Sequence, residues 1–515
     1  MNHRFVVNQL GLLLLALAVG FVGLAIFGLA QYRFFDGGAN EIASAAAMGI
    51  SAVVGAIIGG GCRFATRGCT RRLGRREALL LVGLTWVIGG ALAALPYRLW
   101  SELHRGLSAD HPFHSFADCY FESISGLTTT GATVLSAIGE LPASLLLWRS
   151  ITHWLGGLGI VVLFVAVLPS LGTGGKRLFR VEAPGPRHEG VKPHIGETSR
   201  ILWLLYLGLT AACLIGYRVF GMSWFDATCH AFSTLSTGGL STRDASLGHW
   251  NSLGIDLVAM VFMLAAGLNF ALYYHATKGR WKPIWRDVEL RVYLISKLGV
   301  ILLLMPGLMG RTIQLTNGET VEGTFGTALR HASFATASMH TGTGFGIGDY
   351  EAWSTLSQIL LVGLMFIGGC AGSTAGGIKV VRFWVAIKIM AAELEKAFRP
   401  DVVRPLRVGG ATIDPQMKIA VLTFLIGFVV VLIGGAAAIG LLESGDERAD
   451  VTTSLTASLA CIANVGPGLG FVGPTDNFGW FSGPSKYVLS LLMVLGRLEF
   501  FAIVVLFTPR FWRGD

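Results

Sequence analysis

The sequence predicts an all-α polytopic membrane protein that contains four parallel repeats and two additional N-terminal spans. Of its 515 residues, 53% are hydrophobic and only 14% are charged, whereas soluble proteins carry about 25% charged residues. A soluble surface could not cover this much apolar side chain with polar groups. The composition therefore excludes a soluble enzyme, a nucleic-acid-binding protein and a secreted domain. Three features predict the architecture: long apolar runs, shorter apolar segments between them, and the distribution of basic residues.

Apolar runs of about 20 residues indicate helices that cross a bilayer. They lie near 6–30, 42–61, 79–98, 144–170, 200–219, 252–277, 292–310, 355–392, 418–441 and 485–508. The first run is too long for the core of a signal peptide, so we predict a span there. The run 355–392 is too long for one ordinary span, and glycine-rich sequence interrupts it.

Four weakly apolar segments lie between pairs of spans, near 115–128, 225–236, 326–341 and 452–463. They are too short to cross a bilayer, so we expect each to enter and leave on the same side. The unit of span, pore helix, filter loop and span then occurs four times around one pore. The predicted boundaries are 1–78 for the two extra N-terminal spans, then 79–199, 200–291, 292–417 and 418–515 for the repeats, the third with an intramembrane gate loop.

Basic residues orient these spans. The segments 62–77, 171–200 and 276–297 hold six Lys or Arg residues each, and the segment 378–418 holds eight. Because cytoplasmic loops carry the excess of Lys and Arg, we predict that these segments and both termini are cytoplasmic. The short segments then all enter from the outer side, and the repeats are parallel. Many secondary transporters instead have repeats of alternating orientation.

Each short segment is followed by a glycine at a matching position. The stretches 121–131, 229–239, 334–344 and 456–466 each end in glycine, and small hydroxyl residues precede it in the first three, with Asn464 in the fourth. Glycine allows left-handed backbone, so four such loops around one axis could offer rings of carbonyl oxygens to a dehydrated cation. Helix packing by small residues explains one loop as well, but not four in register. We expect no carboxylate in the loop cores.

Several stretches together resemble the Trk/Ktr/HKT superfamily of potassium transporters. They are FESISGLTTTGATVL (121–135), HAFSTLSTGGLSTRDAS (230–246), TGTGFGIGDY (341–350), GGCAGSTAGGIKVVR (368–382), NVGPGLG (464–470) and LGRLEFF (495–501). The two additional N-terminal spans fit the TrkH type rather than the shorter KtrB type. Gly342 departs from the Thr or Ser that the family pattern leads us to expect, and His340 is also unexpected.

The resemblance implies a K⁺ selectivity filter built from four loops. Its residues would be Thr129, Thr130, Gly131 and Ala132; Thr237, Gly238, Gly239 and Leu240; Gly342, Thr343, Gly344 and Phe345; and Asn464, Val465, Gly466 and Pro467. In the family, serine at the first filter glycine accompanies Na⁺ transport, and this chain has Gly131 there. The departure at Gly342 leaves the fine selectivity of the third loop open.

A glycine-rich stretch interrupts the second span of the third repeat. Unwound backbone at this depth is tolerated where it lines a cavity or is buried in protein, although small-residue helix packing is an alternative. The resemblance implies a gate that closes the pore below the filter, formed by Gly368, Gly369, Cys370, Ala371, Gly372, Ser373, Thr374, Ala375, Gly376 and Gly377 together with Arg497. Residues i and i+2 do not share a helix face, so we do not expect Arg497 to pair with Glu499.

The resemblance also implies a homodimer with one pore per protomer in the bacterial inner membrane, surrounded by lipid. A cytosolic ring of TrkA-like nucleotide-binding domains would regulate it. K⁺ is the transported ion, and no organic cofactor or nucleic-acid partner is expected. The alternatives are a Na⁺-permeable transporter of the same superfamily and a transporter coupled to Na⁺ or H⁺. Against coupling we set the parallel repeats and an expected lack of buried carboxylates that could carry protons. No convergent His, Asp, Glu or Cys cluster suggests an enzyme.

Overall fold

The computed structural model describes residues 1–35, 38–68, 74–104, 106–166, 195–401, 405–409 and 411–513. Most of the predicted basic segment 171–200 lies outside these residues, as does Arg404. Within the described residues the chain is helical, as predicted, apart from two short antiparallel hairpins that the sequence did not indicate. They pair Thr312–Gln314 with Thr320–Glu322 and Arg407–Val408 with Ala411–Thr412.

The two N-terminal helices, His3–Phe34 and Gly38–Ala65, pack closely along each other. A Cβ atom on Gly11 would lie 2.7 Å from the carbonyl oxygen of Gly59, and the reverse contact has the same distance. Small residues at a helix interface allow such a close backbone approach in a membrane. Glu41, which is buried, accepts a hydrogen bond of 2.6 Å from the Ser144 hydroxyl and so attaches this pair to the first repeat.

Each repeat contains a first long helix, a short helix and a second helix that, among the described residues, is interrupted in three of the four repeats. The first long helices are Arg75–Leu103, Ile195–Val219, Val288–Leu308 and Pro415–Leu442. The short helices, numbered one to four below, are Phe116–Leu127, Trp224–Leu235, Phe325–Thr341 and Val451–Ala463. The second helices begin with Ala143–Ala166, Leu253–Ala266, Thr355–Phe366 and Gly483–Arg497. Side-chain caps start several of these, such as Asp450 accepting from the Thr453 N–H at 2.7 Å.

Other helices follow the second helices or connect elements. The α-helices are Phe270–Thr277, Trp281–Arg286, Val380–Phe398, Phe501–Val504 and Pro509–Trp512. The 3₁₀ helices are Pro112–His114, Ile138–Glu140, Ser246–His249, Tyr350–Ala352 and Val505–Phe507. Among the residues that the structure describes, the four 3₁₀ helices before residue 400 lie in the segments that flank the short helices.

Two predicted spans are interrupted where the sequence analysis expected continuous helices. The span 252–277 was wrong as one helix: it ends at Ala266 and turns by 95° into Phe270–Thr277, because the Asn269 side chain accepts from the Ala271 N–H at 2.9 Å and starts a new helix. The span 485–508 was also wrong, because the helix ends at Arg497 and the next residues Glu499 and Phe500 adopt left-handed φ values of 54° and 59°. The predicted interruption of 355–392 is present between Phe366 and Val380.

Five helices among the described residues are long and apolar enough to cross a bilayer, and the bent pair Leu253–Thr277 is a sixth candidate. The sequence had predicted ten spans. The second helices of the third and fourth repeats are too short as single pieces, 12 residues for Thr355–Phe366 and 15 for Gly483–Arg497. The chain is a multi-pass membrane protein. The second helices of the second, third and fourth repeats are interrupted after Ala266, Phe366 and Arg497, whereas Ala143–Ala166 is continuous.

Candidate ion-conduction site

All four short helices end with the same backbone conformation. Just after each short helix, one residue has a left-handed backbone conformation, with φ of 55° at Thr129, 54° at Thr237, 69° at Gly342 and 53° at Asn464. The glycine two positions later is left-handed too, with φ of 83° at Gly131, 79° at Gly239, 78° at Gly344 and 100° at Gly466. Left-handed backbone strains residues with a side chain and favours glycine. The glycines that recur at matching positions in the sequence therefore also share one backbone conformation.

A repeated backbone hydrogen bond holds each of these ends. The residue between the two left-handed positions donates its N–H to the carbonyl five residues earlier. The four bonds are Thr130 to Ser125 at 2.9 Å, Gly238 to Ser233 at 2.8 Å, Thr343 to Ser338 at 2.9 Å and Val465 to Ala460 at 2.9 Å. This is the bond that closes a Schellman motif at a helix C-terminus. At Gly342 the motif has the residue that suits it best, whereas Thr129 and Thr237 occupy the same conformation with a side chain.

The four glycines contact one another's loops in a closed ring. A Cβ atom on Gly131 would overlap the carbonyl oxygen of Gly238, one on Gly239 that of Thr343, and one on Gly344 that of Val465. A Cβ on Gly466 would lie 2.8 Å from the carbonyl oxygen of Thr130, which returns to the first loop. Each loop therefore places the carbonyl before its own glycine against the glycine of its neighbour. We call Gly131, Gly239, Gly344 and Gly466 the glycine ring.

A cavity of about 160 Å³ lies against the glycine ring. All four ring glycines line it, together with charged residues of both signs: Arg149, Arg243, Asp244 and Asp476. The carboxyl of Glu351 lies behind Gly473, another lining residue, and burial among the neighbouring carboxylates of Asp349 and Asp476 raises the pKa of Glu351 to about 7. The ring is thus accessible from a polar vestibule.

The loops are supported in different ways. In the first and third, a serine hydroxyl donates to the carbonyl after the ring glycine: Ser125 to Ala132 at 2.6 Å and Ser338 to Phe345 at 2.7 Å. In the second, Ser233 instead lies 3.2 Å from the Nδ1 of His153, whose ring occupies the space where a side chain at Gly238 would be. Nothing in the sequence around His153 indicated that it adjoins a loop.

The fourth loop is connected directly to the first. The Asn464 amide Nδ2 donates to the Thr130 hydroxyl and to the Met493 carbonyl, both at 2.9 Å. Asn464 is fully buried, and its left-handed conformation lets this side chain cross between loops. Asparagine tolerates that conformation better than most residues. The first and third loops each have a pair of hydroxyl groups instead, Thr128 with Thr130 and Thr341 with Thr343, each at 2.7 Å. In the fourth loop the Asn464 amide takes the place of such a pair.

Buried carboxylates surround the loops, so the expectation that the repeats contain none was wrong. Glu122 in the first short helix is 1% exposed and forms an ion pair of 2.8 Å with the equally buried Arg149. It also accepts hydrogen bonds from the Val134 N–H at 3.0 Å and the Thr133 hydroxyl, while Arg149 donates to the Ser241 carbonyl at 3.1 Å. The pair thereby ties the first loop to the second.

Two further ion pairs with a buried carboxylate connect the short helices to neighbouring repeats. Asp118 of the first short helix pairs with Lys486 of the last repeat, and Arg330 of the third pairs with Asp256 of the second repeat at 2.6 Å. The sequence analysis missed them because the partners are far apart in the chain. Burial of a charge is costly unless it is paired, so such residues are conspicuous only once the fold is known.

The predicted gate stretch Gly368–Gly377, which we call the intramembrane loop, lies directly against two short-helix ends. The Thr374 hydroxyl donates to the carbonyl of Leu235, the last residue of the second short helix, at 3.0 Å. A Cβ on Gly376 would lie 2.6 Å from the carbonyl oxygen of Ala463 at the end of the fourth short helix. The loop is closed across its base by a bond of 2.8 Å from the Gly368 N–H to the Ile378 carbonyl.

Arg497 also reaches this loop. Its guanidinium donates to the Thr374 carbonyl at 2.8 Å and to the Gly156 carbonyl at 3.0 Å, and the side chain is buried. Glu499 lies beyond the end of the helix and pairs with Arg382, at the start of the helix that follows the intramembrane loop. As expected, Arg497 and Glu499 form no pair with each other among the described contacts.

His340, the other unexpected residue of the third loop, packs against an aromatic ring of the third repeat. It is fully buried, with its ring 5.2 Å from that of Tyr293. Neither ring nitrogen has a hydrogen-bond partner among the described residues. At Gly342 a Cβ would have 3.2 Å to the Asn464 carbonyl, so this position has more space than the ring glycines.

Comparisons with known proteins give one family. The family described as "TrkH: Cation transport protein" matches residues 53–513. The chain is 36% identical, over 100% of both chains, to proteins named "Trk system potassium uptake protein TrkH" from Vibrio parahaemolyticus and Halomonas elongata. It is also similar to the crystal structure of the potassium transporter TrkH from Vibrio parahaemolyticus, with a TM-score of 0.85, 33% identity and complete coverage of both chains.

The buried pair of Glu122 and Arg149 provides a test of how the loops are held. We expect Arg149→Ala to destabilise the protein by about 3–5 kcal/mol, because it leaves the Glu122 carboxylate buried without its cation. Thermal unfolding of the detergent-purified protein measures this. Arg98→Ala is the matched control, since Arg98 pairs with Glu102 at an exposed site, and exposed pairs contribute at most about 1 kcal/mol. Equal losses in the two variants would contradict the structural role assigned to the buried pair.

Proposed function

This chain belongs to the TrkH family of cation transport proteins, and we propose that it takes up potassium ions through a pore whose selectivity filter is the glycine ring and its adjoining carbonyls. The ring is the single observation that carries the proposal. Four loops of matching conformation surround one point, and their close contacts leave backbone, rather than side chains, nearest to it. Backbone carbonyls are the groups that replace the water shell of K⁺ in a filter.

The electrostatics around the ring favour a cation. Four short helices end there, and each helix carries partial negative charge at its C-terminus. The buried carboxylates near the loops are paired, Glu122 with Arg149 and Asp118 with Lys486. Attraction of the ion would therefore come from oriented backbone rather than from a free carboxylate. Proton coupling through an unpaired acidic residue of the loops lacks support for the same reason.

Rb⁺ flux into proteoliposomes tests the proposed function directly. We expect the purified protein to carry Rb⁺ as an analogue of K⁺, and external K⁺ to compete more strongly than Na⁺. Equal competition by Na⁺ would favour the alternative of a Na⁺-permeable transporter. Flux that required an opposing or parallel proton gradient would instead favour coupled transport. Protein-free vesicles provide the background.

A change at the ring should alter selectivity. In Gly131→Ser the new Cβ would overlap the Gly238 carbonyl oxygen, so the two loops must separate and the carbonyl spacing must change. We expect a lower K⁺ over Na⁺ permeability ratio, and the same for Gly344→Ser, whose Cβ would overlap the Val465 carbonyl. Gly342→Thr is the matched control in the third loop, because its Cβ would lie 3.2 Å from the Asn464 carbonyl oxygen, a tight contact but not an overlap, and two other loops carry Thr in this conformation. An unchanged ratio in Gly131→Ser would count against the filter.

We also propose that the intramembrane loop is the gate. It lies against the ends of the second and fourth short helices, and Arg497 hydrogen-bonds to it. A cation that passes a buried guanidinium meets a repulsion of several kcal/mol at about 4–8 Å even at an effective dielectric of about 20. The charge and the loop together would therefore block conduction below the filter.

If the intramembrane loop and Arg497 form the gate, removal of either one should raise the basal flux. Arg497→Ala removes both the charge and the hydrogen bond to Thr374, and a deletion within Gly368–Gly377 removes the obstruction. Both variants should raise Rb⁺ flux in vesicles without a cytosolic partner, while the K⁺ over Na⁺ ratio should change little because the ring is intact. Flux at or below that of the unmodified protein, from variants shown to be folded, would leave Arg497 with a structural role only.

We propose a homodimer in the bacterial inner membrane with both termini in the cytoplasm, and regulation by a TrkA-like nucleotide-binding ring that docks on the basic segment 378–418. Lys388, Lys396, Arg399 and Arg407 lie in its described part. We expect detergent-purified protein to capture such a ring at low salt and to release it at high salt, as screening weakens exposed charges. No capture at low salt would remove the support for docking.

A further inference from the structure

The connection between the second and third repeats begins and ends beside the intramembrane loop. We call residues Phe270–Asp287, which comprise the helices Phe270–Thr277 and Trp281–Arg286, the elbow. It starts where the second repeat's long helix bends by 95° and ends where the helix Val288–Leu308 begins. Trp281 and Trp285 on it are 59% and 71% exposed. Its middle is therefore free of the protein core while both of its ends are buried.

The first end is held by backbone. The Phe270 N–H donates to the Gly372 carbonyl at 3.1 Å, and the Cys370 N–H donates to the Gly267 carbonyl at 2.9 Å. The Thr374 N–H donates to the Ala266 carbonyl at 3.3 Å. All three hydrogen bonds join the helix bend to the intramembrane loop, so the bend cannot change its angle without disturbing them.

The second end is held by one side chain. Glu289 lies in the first turn of the helix that follows the elbow and is 7% exposed. Its Oε1 accepts from the Ala371 N–H at 2.8 Å and from the Val381 N–H at 3.1 Å. Ala371 lies within the intramembrane loop and Val381 in the first turn of the helix that follows it, and we call these two segments the limbs of the loop. A single carboxylate oxygen thus connects both limbs to the start of the third repeat.

We infer that Glu289 is a positioning residue of the gate, which keeps the intramembrane loop closed and makes the elbow the lever that releases it. The inference rests on the proposed function of the loop as a gate. Hydrogen bonds to an ionised acceptor are stronger than those between neutral groups, and both donors would lose their shared acceptor together. Movement of the elbow would withdraw Glu289 from both limbs at once, and the glycine-rich loop could then move away from the short-helix ends.

The test uses Cys370, which lies in the loop next to Ala371 and is 1% exposed. In Glu289→Ala, N-ethylmaleimide labelling of Cys370, quantified by peptide mass spectrometry, should rise roughly tenfold or more, because the variant loses bonds of the stronger, charge-assisted class. Cys461, fully buried in the fourth short helix, is the internal control and should stay unlabelled. Partner-free Rb⁺ flux should rise with an unchanged K⁺ over Na⁺ ratio.

Three variants distinguish the positioning role of Glu289 from an effect of its charge and from an effect on folding. Glu289→Gln keeps an oxygen that can accept both N–H groups, so its labelling should lie much closer to that of the unmodified protein than Glu289→Ala does. Asp287→Asn removes the same charge two residues earlier and keeps the cap that accepts from the Leu290 N–H at 2.7 Å, so its labelling should not change. Glu289→Asp keeps the charge but is too short to reach both limbs, and it serves if the alanine variant does not fold.

Cys370 labelling equal to that of the unmodified protein in folded Glu289→Ala or Glu289→Asp would overturn the inference. Parallel labelling of Cys370 and Cys461 would also overturn it, because the residue would then stabilise the whole fold rather than the loop. A protein that carries no Rb⁺ in any variant would contradict the proposed function, whereas the labelling of Cys370 would still decide the role of Glu289.

Discussion

The close approach of four loops at the glycine ring is the constraint on which the rest of the structure depends. Each ring glycine lies where any side chain would strike the carbonyl group of the next loop, and the contacts close from the fourth loop back to the first. This geometry requires the four short helices to end at the same level and in the same left-handed conformation. It also requires small residues on the neighbouring segments: a Cβ on Gly156 would overlap the Leu127 carbonyl, and one on Gly496 the Ile462 carbonyl.

The groups that hold the loops are less symmetric than the ring itself. Serine hydroxyls support the first and third loops, His153 lies behind the second, and the Asn464 amide joins the fourth to the first. Around them, buried ion pairs connect elements from different repeats. Because an unpaired buried charge is far more costly than a paired one, these pairs restrict how the repeats can shift against each other. The same restriction keeps the ring spacing fixed.

The sequence predicted the parts of the fold that follow from local pattern. The ring glycines recur at the same distance from each short helix. The conformational freedom of glycine explains why this residue type occurs at positions such as Gly131 and Gly466. The break after Ala266 had only the weak signal of Gly267 and Asn269 within a long apolar run, and the break after Arg497 lies in LGRLEFF, where no glycine or proline occupies the left-handed positions Glu499 and Phe500. Long-range pairs such as Glu122 with Arg149, or Glu289 with the intramembrane loop, leave no local pattern at all.

Anomalous scattering from crystals grown in Rb⁺ would test the central claim most directly. The account predicts Rb⁺ peaks on the axis between the four loops, coordinated by carbonyl oxygens of residues 129–131, 237–239, 342–344 and 464–466, and loss of those peaks in Gly131→Ser. Rb⁺ bound only at side-chain carboxylates of the vestibule, with none inside the glycine ring, would contradict it.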